Sequence, residues 1–303
     1  MTNYPPIKIM VIIAVILIIL TGCTDKRSDR EKDNSNEEPS RPFATSELQK
    51  ANEVLANGVR IEDPKDDFYI IPEEVIEGDG RPNNYNPYPL GYTDMKSFTV
   101  AADETYLYLK YEFWDKFPST LPSYDGDFIW ITGPAVGEML FYKDGKADFA
   151  HIVTEIVYST GPPTSDNEVW PAKKPELRHN IMMSPTGIDS TGDNIVKSRT
   201  GLGMVAGGSG TDYVLSAVPL SLFGLKLGDE IIFSVADETG SAKYHHESVD
   251  LLLEEGNNKE GDKIRYKLGS SIFERMSVAD YVKLPDYIEI DKRVRSNSMV
   301  KYE

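Results

Sequence analysis

One cysteine, four histidines and three tryptophans are all that 303 residues contain of those types. A single thiol, Cys23, excludes an internal disulfide, so the fold has to hold by packing. The only histidine pair is His245-His246. Neighbours on a strand point to opposite faces, which is poor geometry for chelating one metal. The longest apolar run, Ile9 to Leu20, is 12 residues, short of the ~20 that cross a bilayer as a helix. No cluster of Lys and Arg offsets a net charge of −17. That surface repels phosphate backbones and argues against a nucleic-acid partner. Gly-x-Ser-x-Gly, His-Glu-x-x-His and a phosphate-cradling loop are all missing, because the glycines of GLGMVAGGSG (201–210) do not join a strand to a helix. A non-catalytic protein is therefore expected.

The 12-residue run fits the apolar part of an export signal. It ends in Leu20-Thr21-Gly22-Cys23, which resembles the lipobox of bacterial-type lipoproteins. That resemblance implies a signal over residues 1–22, cleavage before Cys23 and acylation of its thiol. The expected location is the cell membrane or outer membrane, lipid-anchored and facing outside the cytoplasm. Acyl chains contribute about 0.8 kcal/mol per buried methylene. Residues 23–44 hold almost no apolar side chains and read as a disordered tether. The tether carries −1 and the leader +1, so residues 45–303 bear the whole −17.

A helix is predicted over 45–58. Ser46 and Gln49 form a capping box, Leu48, Ala51, Val54 and Leu55 follow at helical spacing, and Gly58 gives a left-handed stop. Beyond it the chain reads as strand. MKSFTVAADETYLYLKYEFW is two alternating runs about Asp103-Glu104, and EMLFYKDGKADF holds an Asp-Gly hairpin. DFIWIT, HIVTEIVY, RHNIMM, DYVLSAV, EIIFSVADE and KIRYKL extend the series. Strands with turn signals and no amphipathic helices between them predict an all-β, antiparallel β-sandwich over 59–270, with one N-terminal helix. Residues 271–303 form a C-terminal extension. Two Pro-, Gly- and Asn-rich loops, 78–91 and 160–175, have the composition of binding loops.

Two stretches carry a resemblance. ADETYLYLKYEFWD (102–115) places Asp103-Glu104 before a Tyr-Leu-Tyr strand, and Asp125-Gly126-Asp127-Phe128-Ile129 follows as an apolar strand containing Asp. Pro219-Leu220-Ser221-Leu222, then Gly224-Leu225 and Gly228-Asp229, form the later element. Pro219 stops a strand, Ser221 caps one helical turn, Leu222, Phe223 and Leu225 plug the sandwich, and Gly228 permits a positive-φ turn. This pattern resembles the family 9 carbohydrate-binding modules and their DOMON-like relatives, over roughly residues 59–269. The family's opening Ile-Asp-Gly-x-x-Asp-x-Trp corresponds to Val59 through Asp63 leading to Asp66-Asp67-Phe68, with Phe68 where the tryptophan stands.

The resemblance implies a carbohydrate or glycan partner. Sugar recognition needs flat rings flanked by hydrogen-bonding groups. Trp170, in a Pro-bounded loop with Asp166, Asn167 and Glu168, is the first candidate; Trp114 and Tyr108, on the outer stripe of YLYLKYEFWD, and Tyr244 follow. That stripe binds only if the Tyr- and Pro-rich loop 78–91 does not cover it. No cofactor is expected, apart from a structural calcium that relatives often hold and for which Asp125 and Asp127 offer oxygens. Two carboxylates fall short of the 6–8 oxygens calcium prefers. Two other functions stay open. One is a b-type haem electron-transfer module, as in some DOMON-like relatives, using Met182, Met183 or Met204 with His151, His179 or His245. The other is a structural or accessory domain with no small ligand.

Overall fold

The computed structural model describes residues 41–67, 69–71, 92–119, 129–143, 145–159, 176–183, 197–200, 203–241, 247–253 and 261–287. Their elements run in chain order as β1 (Arg41–Pro42), α1 (Thr45–Leu55), β2 (Val59–Glu62), β3 (Tyr69–Ile71), β4 (Met95–Ala102), β5 (Tyr106–Phe113), β6 (Ile129–Lys143), β7 (Lys146–Ser159) and β8 (Glu176–Met183). They continue with β9 (Lys197–Thr200), β10 (Met204–Gly207), β11 (Tyr213–Pro219), β12 (Glu230–Ser241), β13 (Glu247–Leu251), β14 (Lys263–Lys267), β15 (Phe273–Met276) and α2 (Val278–Tyr281). The all-β expectation holds. A six-stranded sheet has the order β1-β10-β11-β5-β4-β2. The second sheet runs β15-β14-β12-β6-β7-β8-β9, with β13 on β12 and β3 on β13. Every pairing is antiparallel except β1 with β10.

The core between the sheets comes from period-two alternation. Leu107, Leu109, Tyr111 and Phe113 of β5 meet Phe98 and Val100 of β4 and, from the other sheet, Val136, Ile152, Phe233 and Ile264. Phe98 packs edge-on against Phe233 at 6.0 Å, which ties the layers across the interior. The turn after β11 seals one end. Leu220, Phe223 and Leu225 are buried there, while Ser221 is exposed and makes no cap. Pro219 instead occupies the position before the single 3-10 turn, and Gly228 takes the expected positive φ of 91°.

Each sheet's outer face is partly roofed by the chain itself. Ala51 and Leu55 of α1 pack on Ala101, Tyr108, Met204, Leu215 and Ala217. Tyr281 of α2 and Met276 pack on the cross-strand pair Leu140 and Ile232 of the other sheet. The start of the C-terminal extension is therefore part of the fold, through β15 on β14 and α2 on the sheet. Likewise the expected tether gives way to ordered chain before residue 44, because β1 pairs with β10.

Helix α1 departs from its expected signals at both ends. Its N-cap is Ala44, whose N–H donates to the Glu47 carboxylate at 2.9 Å, and Arg41 pairs with Glu47 at 2.5 Å. Gly58 does not adopt a positive φ. A Cβ there would meet the Val100 carbonyl oxygen at 2.5 Å, so glycine is needed for close approach to β4. Among the described residues no helix is long and apolar enough to cross a membrane.

Candidate functional site

Two of the inward-facing apolar stripes end in aspartate. Val59 and Ile61 of β2 face the core, and Asp63 comes two residues later. Phe233 and Val235 of β12 are followed in the same way by Asp237. Asp250 of β13 is the cross-strand partner of Asp237. Period two keeps Asp63 and Asp237 on the inner face where the apolar packing runs out. Asp63 is 6% exposed, and Asp237 and Asp250 are fully buried.

Two loops bring further carboxylates. Asp67 lies between β2 and β3, and fully buried Asp94 precedes β4. The Asp66 N–H donates to Asp94 Oδ2 at 3.0 Å, while Asp94 Oδ1 is buried and has no hydrogen-bond partner among the described residues. The next amide, that of Met95, donates to Asp250 Oδ2. One carboxylate oxygen each from Asp63, Asp67 and Asp250 lie within 4.8 Å of one another.

Electrostatics at this end oppose ionisation. Burial pushes the Asp94 carboxyl above its ordinary range. The Asp66 N–H works against that shift, and the charges of Asp66 and Asp67 add to it. Asp67 is also pushed up by burial, with the Asp66 charge adding. The Tyr111 hydroxyl is buried without a hydrogen-bond partner among the described residues. Burial and the charge of Asp237 push its pKa up.

Trp114 stands beside this cluster. Its backbone N–H donates to the Asp94 carbonyl at 3.0 Å, and the residue is 38% exposed. The ammonium groups of Lys65 and Lys96 lie 5.7 Å and 5.4 Å from the ring centroid. Lys65 shares a loop with Asp67, and the Asp63 N–H bonds the carbonyl of Lys96 at 3.0 Å. An exposed indole, two cations and a carboxylate group are thus gathered at one end of the sandwich.

Of the residues expected to bind sugar, Trp114 is at this rim. Tyr108 is not on an open surface: it is 2% exposed beneath α1, and its hydroxyl donates to Asp103 Oδ2 at 3.0 Å. The covering segment is α1, which spans the stripe because Ala51 and Leu55 match its apolar half. Trp170, Tyr244, Asp125, Asp127 and Cys23 lie outside the described residues. So do His245 and the loops 78–91 and 160–175. Among the residues named for haem, Met204 packs under α1 on one sheet while His151 belongs to β7 of the other. His151 and Met182 are cross-strand partners.

The carboxylate cluster went unread in the sequence, although Val59-x-Ile61-x-Asp63 and Phe233-x-Val235-x-Asp237 carry its signal. Comparison with protein families, curated proteins and solved structures finds no match.

Proposed function

We propose that this chain is a lipid-anchored, extracytoplasmic binding protein whose β-sandwich captures carbohydrate without catalysis. The observation that carries the reading is the placement of Trp114. An indole held at the rim, with ammonium groups of Lys65 and Lys96 beside it and carboxylates behind it, offers what a pyranose needs. The ring supplies an apolar face for sugar C–H groups, and the charged neighbours supply donors and acceptors for hydroxyls. The all-β sandwich suits this role, because its end loops gather side chains on a rigid support. Membrane attachment rests on the lipobox-like Leu20-Thr21-Gly22-Cys23.

Glycan-array binding of the full-length protein in detergent tests the ligand. Binding to at least one glycan class is expected, weakened about fivefold or more in Trp114→Ala if stacking contributes its usual 1 kcal/mol or more. Absence of binding to every glycan, or equal binding by the variant, counts against the proposal. Intact-mass spectrometry tests the anchor. It should find a chain beginning at an acylated Cys23, and an unmodified N-terminal methionine would remove that part of the reading.

A further inference from the structure

From the two ammonium groups gathered on Trp114, we infer that this rim selects an acidic sugar, one whose ring carries a single carboxylate, such as a uronic acid. The inference rests on the sugar reading above and narrows it to a ligand class.

Backbone features place both lysines. Lys96 is the extra residue of a β-bulge in β4: Met95 pairs with Phe113 and Ser97 with the adjacent Glu112, which leaves Lys96 without a cross-strand partner. A bulge bends its strand and re-aims the side chain it carries. The Lys96 carbonyl accepts the Asp63 N–H at 3.0 Å, which fixes the bulge against the end of β2. Lys65 precedes Asp66, which takes a positive φ of 65° and donates its N–H to Asp94 Oδ2 at 3.0 Å. The Asp94 carbonyl in turn accepts the Trp114 backbone N–H at 3.0 Å. One buried residue therefore ties the turn that follows Lys65 to the backbone that carries the indole.

Charge at the ring runs against the sign of the whole chain, which has 49 acidic and 32 basic side chains. Arg60 and Lys110, on the same sheet face, each pair with Glu112. Lys65 and Lys96 are exposed, and among the described residues their ammonium groups meet the indole and no carboxylate. Asp63, Asp94 and Asp250 are buried, so a ligand on the ring does not touch them.

The chemistry of the pair selects the ligand. An ammonium is a compact charge with three donors, and its bond to a carboxylate is about twice as strong as a bond between neutral groups. A uronate lying on the indole sets its C–H face against the ring and its carboxylate at the ring's edge, beside both lysines. The exposed Asp66 and Asp115 flank the rim, and the net charge of −17 repels a polyanion. One isolated carboxylate suits this spot better than a heavily sulfated chain.

Binding of the full-length protein in detergent to an array of glucuronate-, galacturonate- and sialate-terminated oligosaccharides tests the inference. The methyl ester of each, its neutral equivalent and a heparin-type sulfated chain complete the array. At least one acid should bind about fivefold or more tightly than its own ester. That preference should shrink as salt is raised, and it should fall to about one in the double variant Lys65→Gln/Lys96→Gln. Both positions are exposed, so the variant should keep the urea midpoint of wild type. Esters bound as tightly as acids, binding confined to neutral glycans, or a preference unchanged in the double variant overturns the inference and leaves the sugar reading standing. Absence of binding to every glycan removes both. Tighter binding of the sulfated chain than of any single-carboxylate sugar overturns the choice of ligand.

Discussion

Along the outward stripe of β5 one strand shows two fates. Tyr106 and Tyr108 lie under α1, where Ala51 and Leu55 exclude water and the Tyr108 hydroxyl reaches Asp103. Lys110, Glu112 and Trp114, further along the same stripe, are left to solvent and to charged partners. Arg60 and Lys110 both bond Glu112, and Trp114 sits between lysines at the rim. Both halves carry aromatic rings, two in the first and one in the second. What differs is whether an apolar helix face exists to cover them. An aromatic residue on a sheet's outer face is thus a packing surface at one end and an accessible one at the other.

The largest test of that contrast is Tyr108→Ala. Removing a buried ring beneath α1 should cost about 3–5 kcal/mol, read from urea midpoints. A loss below about 1 kcal/mol would mean that α1 does not seal this surface. Gly58→Ala comes next. The new Cβ would stand 2.5 Å from the Val100 carbonyl oxygen, a backbone atom that cannot swing away. A destabilisation of about 1–3 kcal/mol is expected. Tyr108→Phe keeps the ring and removes only the hydroxyl bonded to Asp103, so about 1 kcal/mol should go.

The solvated half responds to pH. Partial burial opposes ionisation of Glu112, but hydrogen bonds from Arg60 and Lys110 outweigh it and hold its carboxyl down at about 2. A carboxylate whose folded pKa is depressed leaves the unfolded chain binding more protons at low pH. Its contribution to stability is complete above the unfolded value near 4.5 and is lost as pH falls towards about 2. Glu112→Gln should therefore lower the urea midpoint at pH 7. The gap to wild type should close progressively below pH ~4. A gap that persists unchanged at pH 2 would show that charge pairing is not its source.

The fold was legible because period-two alternation is local. The two faces of β5, the hairpin at Asp103, and Gly228 in its turn could all be read from neighbouring residues. Asp103 indeed accepts the N–H groups of Thr105 and Tyr106 at 2.8 Å. The cover over Tyr108 was not legible. Nothing in Ser46 to Leu55 states which sheet face the helix will meet, and that choice is made by shape across a long sequence separation. The carboxylate cluster was hidden for a similar reason. Asp63 and Asp237 each look like ordinary polar residues at strand ends. Only the pairing of β12 with β13, and the turn holding Asp94 by Asp66, bring the charges to one place. The rule that carries an aspartate inward after two apolar inward positions was available in the sequence, but only the assembled sheets show that the two stripes obeying it converge with Asp250.

The smallest expected stability change is at Trp114. The residue is 38% exposed, and its contacts among the described residues include cation–π pairs with Lys65 and Lys96, each worth about 0.5–1 kcal/mol at an exposed site. Both lysines regain hydration when the ring is removed, so the net loss in Trp114→Ala should stay within about 1 kcal/mol. The backbone bond from Trp114 to Asp94 survives the substitution, because the amide remains. Two aromatic side chains on one stripe, six residues apart, should then differ several-fold in their contribution to folding. If Trp114→Ala instead lowers the urea midpoint as far as Tyr108→Ala does, the indole is a structural anchor. The open half of the stripe would then have no ring to spare for a ligand.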